Sequence, residues 1–267
     1  MPLLQLFLVA VIQGITEFLP ISSSGHLILL PNLTGLEDQG QTIDVAVHVG
    51  TLFAVCLYFR SDVALSIRGF GHLFIGKRDM EAARLFKNLV IATIPVVIAG
   101  VIISMTGLND ALRSVAVIGW TMLGFGIVLY VFDQVGKTDQ TFEGWSIKQA
   151  FILGLWQAIA LIPGTSRSGI TITGARAMGY DRESAARIAM LMSIPTILAS
   201  GTLLTAEVLS SADMQVARDG AIAAAFAFAA ALVALTLMMR LLKSVSFTPY
   251  VIYRVVLGVI LLWYAYS

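Results

Sequence analysis

Gln13-Gly14-Ile15-Thr16-Glu17-Phe18-Leu19-Pro20-Ile21-Ser22-Ser23-Ser24-Gly25-His26 decides how this chain must be read. The stretch lies inside an apolar segment, Leu3–Pro31, that would otherwise be long enough to cross a bilayer. A second apolar segment, Ile147–Met178, is interrupted in the same way by Pro163-Gly164-Thr165-Ser166-Arg167-Ser168-Gly169. An unbroken membrane helix does not carry proline, glycine and clustered hydroxyls at mid-depth. Irregular backbone is tolerated there only where protein buries it or it lines a polar cavity. Both segments are therefore expected to be re-entrant, each a helix, a loop and a second helix.

Six further stretches, roughly 43–60, 88–106, 114–133, 185–206, 219–240 and 249–266, are long and apolar enough to span. Of the 267 residues, 58% are hydrophobic and 12% charged, and mean hydropathy is +0.87. Soluble domains carry about a quarter charged residues, so a water-exposed globule is excluded. The expected architecture is an all-α polytopic membrane protein, one integral membrane domain over residues 1–267. A net charge of +1 gives no global field for nucleic acid. The single cysteine, Cys56, allows neither an intrachain disulfide nor a cysteine metal cluster. Met1–Gln5 lacks a basic region and no cleavage site follows Leu3–Ile12, so no removable signal peptide is expected.

Loop charges set an orientation. Arg60–Lys87 reads as the longest polar loop, and its Arg60, Arg68, Lys77, Arg78, Arg84 and Lys87 place it in the cytoplasm. Counting spans from there puts Gln134–Lys148, Tyr180–Arg187 and Arg240–Lys243 inside, and Gly107–Arg113, Glu207–Asp219 and both termini outside. Each half, roughly 1–134 and 147–267, is then one re-entrant segment followed by three spans, and the odd number of crossings inverts one half against the other. Inverted repeats with broken helices place their site near the midplane, where the two tips meet.

The first interruption supplies reactive groups. Gln13 and Glu17, four apart, share one helix face, Pro20 ends that helix, and Ser22, Ser23, Ser24 and Gly25 form a turn with His26 just beyond. A carboxylate, hydroxyls and an imidazole provide a nucleophile and candidate acids or bases, and ionisable groups at that depth are expensive enough to mark function. The second interruption suits an anion. Gly164, Thr165, Ser166, Ser168 and Gly169 leave N–H groups free at the start of the following helix, and Arg167 adds a planar fork that matches phosphate oxygens. The bland alternative is a structural turn whose Arg167 pairs with Glu17. Asp44, His48 and Thr51 share helical spacing near the outer end of the first span, where they could line an outer vestibule, although His48 reads more readily as a satisfied core histidine. Gln157 reads as a partner of the second loop, and Arg176 and Arg254 as snorkelling or topology charges. The Gly119–Gly126 face permits close helix packing, within or between subunits.

Gln13-x-x-x-Glu17 with Pro20-Ile-Ser-Ser-Ser-Gly-His26, and Pro163-Gly-Thr-Ser-Arg-Ser-Gly169, with the spans around them, resemble the undecaprenyl-diphosphate phosphatase family linked to bacitracin resistance. The resemblance covers essentially the whole chain. It implies hydrolysis of a membrane-borne isoprenoid diphosphate to the monophosphate, recycling the carrier lipid of cell-wall synthesis. It also implies a homodimer in the bacterial plasma (inner) membrane with the site opening to the periplasmic side. Glu17 matches the family's essential second acid, Gln13 stands at the first acid position, Ser23 matches the proposed nucleophile and His26 the proposed acid/base. Ser24 stands where threonine is often found, and Arg167 with Ser166 matches the phosphate-binding loop. Phosphoserine formation and direct attack by water both remain open at this point. So does a divalent cation, Mg2+ or Ca2+, bridging Glu17 and the diphosphate. The competing class is a transporter or flippase of a lipid phosphate or small anion, to which a nucleophile and base beside the phosphate bring nothing.

Overall fold

The computed structural model describes residues 1–35, 39–75, 80–107, 112, 114–208 and 214–267, with backbone only at 29, 32–34, 73–75 and 202–208. Its helices are α1 (Leu3–Phe18), α2 (Ser23–Thr34), α3 (Gly40–Tyr58), α4 (Arg60–Ile75), α5 (Met80–Thr106), α6 (Val115–Val135), α7 (Ile147–Ile159), α8 (Arg167–Ala177), α9 (Arg182–Val208), α10 (Met214–Leu241) and α11 (Thr248–Tyr266). Among the described residues the only β feature is a single bridge between Gln140 and Tyr180. Six helices, α3, α5, α6, α9, α10 and α11, are long and apolar enough to cross a membrane, and each overlaps one of the six expected spans along most of its length. The protein is a multi-pass, all-helical membrane protein.

The two interrupted segments are helix, break, helix, as α1–α2 and α7–α8. Pro20 pushes the preceding Leu19 into extended backbone (φ −69°, ψ 144°), which stops α1. Packing around the two pairs follows one pattern twice: α1 lies along α10 as α7 lies along α5, α3 crosses α10 as α9 crosses α5, and α6 packs against α11. Small residues allow these close crossings. A Cβ on Gly50 would stand 2.2 Å from the Ala224 carbonyl oxygen, and one on Gly14 2.7 Å from that of Ala227. The Gly119–Gly126 face is used inside the chain, since Gly119 meets Leu262 and Gly126 meets Arg254, both on α11.

Arg60–Lys87, expected as a polar loop, is helical over most of its described length, as α4 and the start of α5. Its charges masked a continuous helical pattern whose apolar side docks on α5: Phe70 and Phe86 lie 5.4 Å apart, and Gly69 sits against Ala82. Lys77 and Arg78 lie outside the described residues, as do most of Gly107–Arg113 and part of Glu207–Asp219. Arg176, expected to snorkel, is 1% exposed. It donates to the carbonyls of Asp133, Gly136, Lys137 and Tyr180 and lies 3.3 Å from the Asp133 carboxylate. Asp133 also takes Arg182 at 2.7 Å and the Phe247 amide at 3.2 Å, so one buried carboxylate ties α6 to the segments around α8, α9 and α11. Burial pushes the neighbouring Tyr180 hydroxyl up to about 12, keeping it a donor to Gln149.

The start of α7 carries a reciprocal cap. Ser146 Oγ accepts from the Gln149 amide, and Gln149 Oε1 accepts from the Ser146 amide. Ser146→Ala is expected to cost about 1 kcal/mol of stability, read as a small fall in the thermal midpoint in detergent with activity retained.

Candidate active site

The two breaks end in the same turn. Ser22 and Ser166 are the only non-glycine residues with positive φ among the described residues, at 73° and 72°. Their ψ values of 94° and 112° lie well beyond the ordinary left-handed well. Each is the N-cap of the helix that follows. Ser22 Oγ accepts from Gly25 N–H at 3.4 Å and lies 3.3 Å from Ser24 Oγ. Ser166 Oγ accepts from Gly169 N–H at 3.1 Å and lies 3.2 Å from Ser168 Oγ. Glycine would relax the backbone but supply no cap, so serine carries the strain. The first helical residues after these caps are Ser23 and Arg167.

Both reach the same carboxylate. Ser23 Oγ donates to Glu17 Oε2 at 2.8 Å, and Arg167 Nη2 is bonded to Glu17 Oε1 in an ion pair. Gln13 Nε2, one turn earlier on α1, donates to Oε2 at 2.9 Å. The Glu17–Arg167 pair weighed as the bland alternative thus does form, but the fork is only half used. Arg167 Nη1 is buried with no partner among the described residues, as are Thr165 Oγ1 and Gln13 Oε1. A buried guanidinium nitrogen left without an acceptor is costly in a protein interior, and an anionic oxygen beside Arg167 would satisfy it. The N-termini of α2 and α8 add their partial positive charge at the same place.

The breaks are also bonded to each other. Ser168 Oγ donates to the Leu19 carbonyl at 2.9 Å, so it braces the first break. Gly164 adopts φ +84°, which glycine takes without penalty. A Cβ there would lie 2.2 Å from Thr121 Oγ1, which itself donates to the Pro163 carbonyl at 2.6 Å. Arg254, expected to snorkel, is instead fully buried. It donates to the carbonyls of Pro20 (3.2 Å), Gly164 (3.1 Å), Thr121 (3.3 Å) and Met122 (3.2 Å), reaching both breaks and α6 at once, with no acidic partner among the described residues.

The two histidines beside the site are held differently. His26 has both ring nitrogens engaged. Its Nδ1 lies 2.6 Å from the Ser22 carbonyl, so Nδ1 carries the hydrogen, and Nε2 lies 2.6 Å from the Tyr253 hydroxyl, whose ring stacks on it. His48, read from sequence as a core histidine, has 39% of its side chain exposed, and its Nε2 lies 3.8 Å from Glu17 Oε2. Gln157 does not bond the second loop. Its amide reaches the Ala92 carbonyl at 3.5 Å. Thr51 bonds within its own helix. Arg254, Thr121 and Tyr253 were missed. An arginine among Ile252, Tyr253, Val255 and Val256 was the available signal, whereas nothing in the sequence links Thr121 to Pro163.

Among the described residues no three His, Cys, Asp or Glu gather as metal ligands. Glu17 offers one carboxylate, with both oxygens already bonded and a guanidinium against it. This donor set does not fit a resident divalent cation.

A family model described as the bacitracin resistance protein BacA matches residues 6–260. The undecaprenyl-diphosphatase of Jannaschia sp. is 68% identical over 267 residues, all of both chains. That of Roseobacter denitrificans is 66% identical over the same full length. That of Alcanivorax borkumensis is 43% identical over 260 residues, 97% of this chain and 98% of its own. Matched along nearly its whole length, the chain belongs to the BacA bacitracin resistance family.

Proposed function

We propose that this protein hydrolyses undecaprenyl diphosphate to undecaprenyl phosphate and inorganic phosphate, returning the carrier lipid to cell-wall synthesis. The observation that carries the reading is the convergence of Ser23 and Arg167 on Glu17, with Arg167 Nη1 and Thr165 Oγ1 buried and unpartnered beside them. An incoming diphosphate fills those vacant donors. The amides of Gly164, Ser166 and Ser168 and the two helix N-termini offset its charge. Ser23 Oγ attacks the terminal phosphorus in line, its proton passing to Glu17 Oε2 along the existing hydrogen bond. The bridging P–O bond breaks with its electron pair on the isoprenyl monophosphate. Once Glu17 has given that proton up to solvent, water attacks the phosphoserine, its proton passes by way of Glu17 to Ser23 Oγ, and phosphate leaves. Gln13 orients the Glu17 carboxylate. Ser22 and Ser24 shape the turn that presents Ser23. His26, held between the Ser22 carbonyl and Tyr253, fixes that turn from the other side. A Mg2+ or Ca2+ ion would enter only as the counter-ion of the diphosphate.

The basic ends of α5, α9 and α10 lie in the cytoplasm under the positive-inside rule. The two breaks then enter from opposite faces of the plasma membrane, and the site opens on the outer side. A homodimer accords with family resemblance. Transport of a lipid phosphate is the weaker reading, because a carrier has no use for a serine hydrogen-bonded to a buried carboxylate beside the phosphate. The purified full chain in detergent is expected to release inorganic phosphate from the C55 isoprenoid diphosphate and leave the monophosphate. A folded protein that releases none, with and without added Mg2+ or Ca2+, would overturn the enzyme reading and leave transport in its place.

A further inference from the structure

We infer that His48 is the proton relay between Glu17 and the outer vestibule. The inference rests on the proposed hydrolysis and assigns a positioning residue that acts through Glu17. Glu17 is 7% exposed and hemmed in by Gln13, Ser23 and Arg167, none of which can carry a proton onward to water. A base that is loaded and unloaded in each turnover needs an exit, and His48 is the titratable side chain with one nitrogen toward Glu17 and its ring toward solvent. Its Nδ1 lies 2.7 Å from the Asp44 carbonyl, an acceptor only, so the hydrogen of the neutral ring is on Nδ1 and the lone pair of Nε2 faces Glu17. Nε2 is 3.8 Å from Oε2, the same oxygen to which Ser23 donates. A closure of about 1 Å makes this a hydrogen bond. His26 lacks this freedom, with Ser22 and Tyr253 on its two nitrogens.

In the first half-reaction the Ser23 O–H bond breaks as the O–P bond forms. The proton moves to Glu17 Oε2 and then to His48 Nε2, and the imidazolium is held by the Asp44 carbonyl until vestibule water takes the proton. In the second half the attacking water gives its proton to Glu17 Oε2, which returns it to Ser23 Oγ as the O–P bond breaks, so the relay carries one proton out in each turnover. The charged groups facing His48 are Glu17 on α1, Arg167 on α8 behind it and Asp44 on its own helix, whose carboxylate accepts from Gln39. On α10, Asp219 is held by the Met1 amino group, and on α9 Arg187 is held by Asp62.

The test is a pH–rate profile of the purified full chain beside His48→Gln, His48→Ala and His26→Gln, with thermal unfolding as the fold check. Glutamine keeps a donor for the Asp44 carbonyl but takes up no proton. His48→Gln is expected to lower kcat by about 10²-fold with KM little changed. It should also alter the acidic limb of the parent pH–rate profile, while His26→Gln retains that limb. His48→Ala should recover rate with added imidazoles, more with the more basic ones. An unchanged profile in His48→Gln, an effect confined to KM, or a limb that moves with His26 instead would overturn the relay while leaving the phosphatase standing. No phosphate release from the folded parent would remove both.

Discussion

Arg167→Ala and Ser23→Ala each lower phosphate release by at least about 10³-fold while the protein remains folded, because each removes one of the reactive groups that meet at Glu17. For Arg167 the physical reason is charge. The transferring phosphoryl group gathers negative charge in a site largely shielded from water, where a fixed guanidinium is worth far more than in bulk solvent. Arg167→Lys recovers only part of the rate, since an ammonium cannot hold Glu17 and a phosphate oxygen in one plane. Removing Arg167 also leaves Glu17 as a buried unpaired carboxylate, and breaking such a pair costs about 3–5 kcal/mol of stability. The double variant Glu17→Gln with Arg167→Met separates the two effects: it regains the thermal midpoint and stays inactive. Ser23→Ala removes a single hydrogen bond and should leave the midpoint nearly unmoved. A folded Ser23→Ala protein with parental rate would move the nucleophile to water and keep Arg167 in place. Phosphate release and thermal unfolding on the same detergent preparations decide each case.

How far the sequence could be read follows from what kinds of contact each residue makes. The six spans were legible because the bilayer imposes length and apolarity locally. The two breaks were legible because proline, glycine and serine act on their own backbone. Glu17, Ser23 and Arg167 stood out because an ionisable or reactive group at that depth is expensive. What failed was long-range pairing. Asp133 sits 43 residues from Arg176, and Arg254 sits 234 residues from Pro20. A snorkelling arginine and one that binds backbone carbonyls inside the protein have the same letter and the same apolar neighbours. α4 was hidden for a different reason: it mixes enough charge with its apolar side to read as a loop until α5 is seen beneath it. His48 was assigned to the core because its helix face was judged without knowing that α1 ends opposite it.

Arg254→Met is expected to leave little folded protein, and what folds should be inactive. Arg254 bonds four backbone carbonyls from three separate segments, the first break, the second break and α6. Methionine fills much of the same volume but satisfies none of them. Each orphaned carbonyl costs about 1–3 kcal/mol where water cannot replace the donor, so the sum approaches the whole stability of a domain, about 5–15 kcal/mol. Part is regained because methionine removes a buried cation that has no carboxylate partner. The remaining loss falls on the register of the two breaks, since Pro20 and Gly164 are held at one guanidinium. Arg254→Lys separates positioning from charge. Its ammonium has three donors and one point of attachment, so it cannot span all four carbonyls. The expected Arg254→Lys protein folds with a lowered midpoint and a reduced kcat, while retained charge beneath the site keeps KM close to that of the parent. Parental kcat in Arg254→Lys would show that charge alone suffices, and a stable Arg254→Met protein with parental activity would show that the breaks are aligned by Ser168 and Thr121 without it.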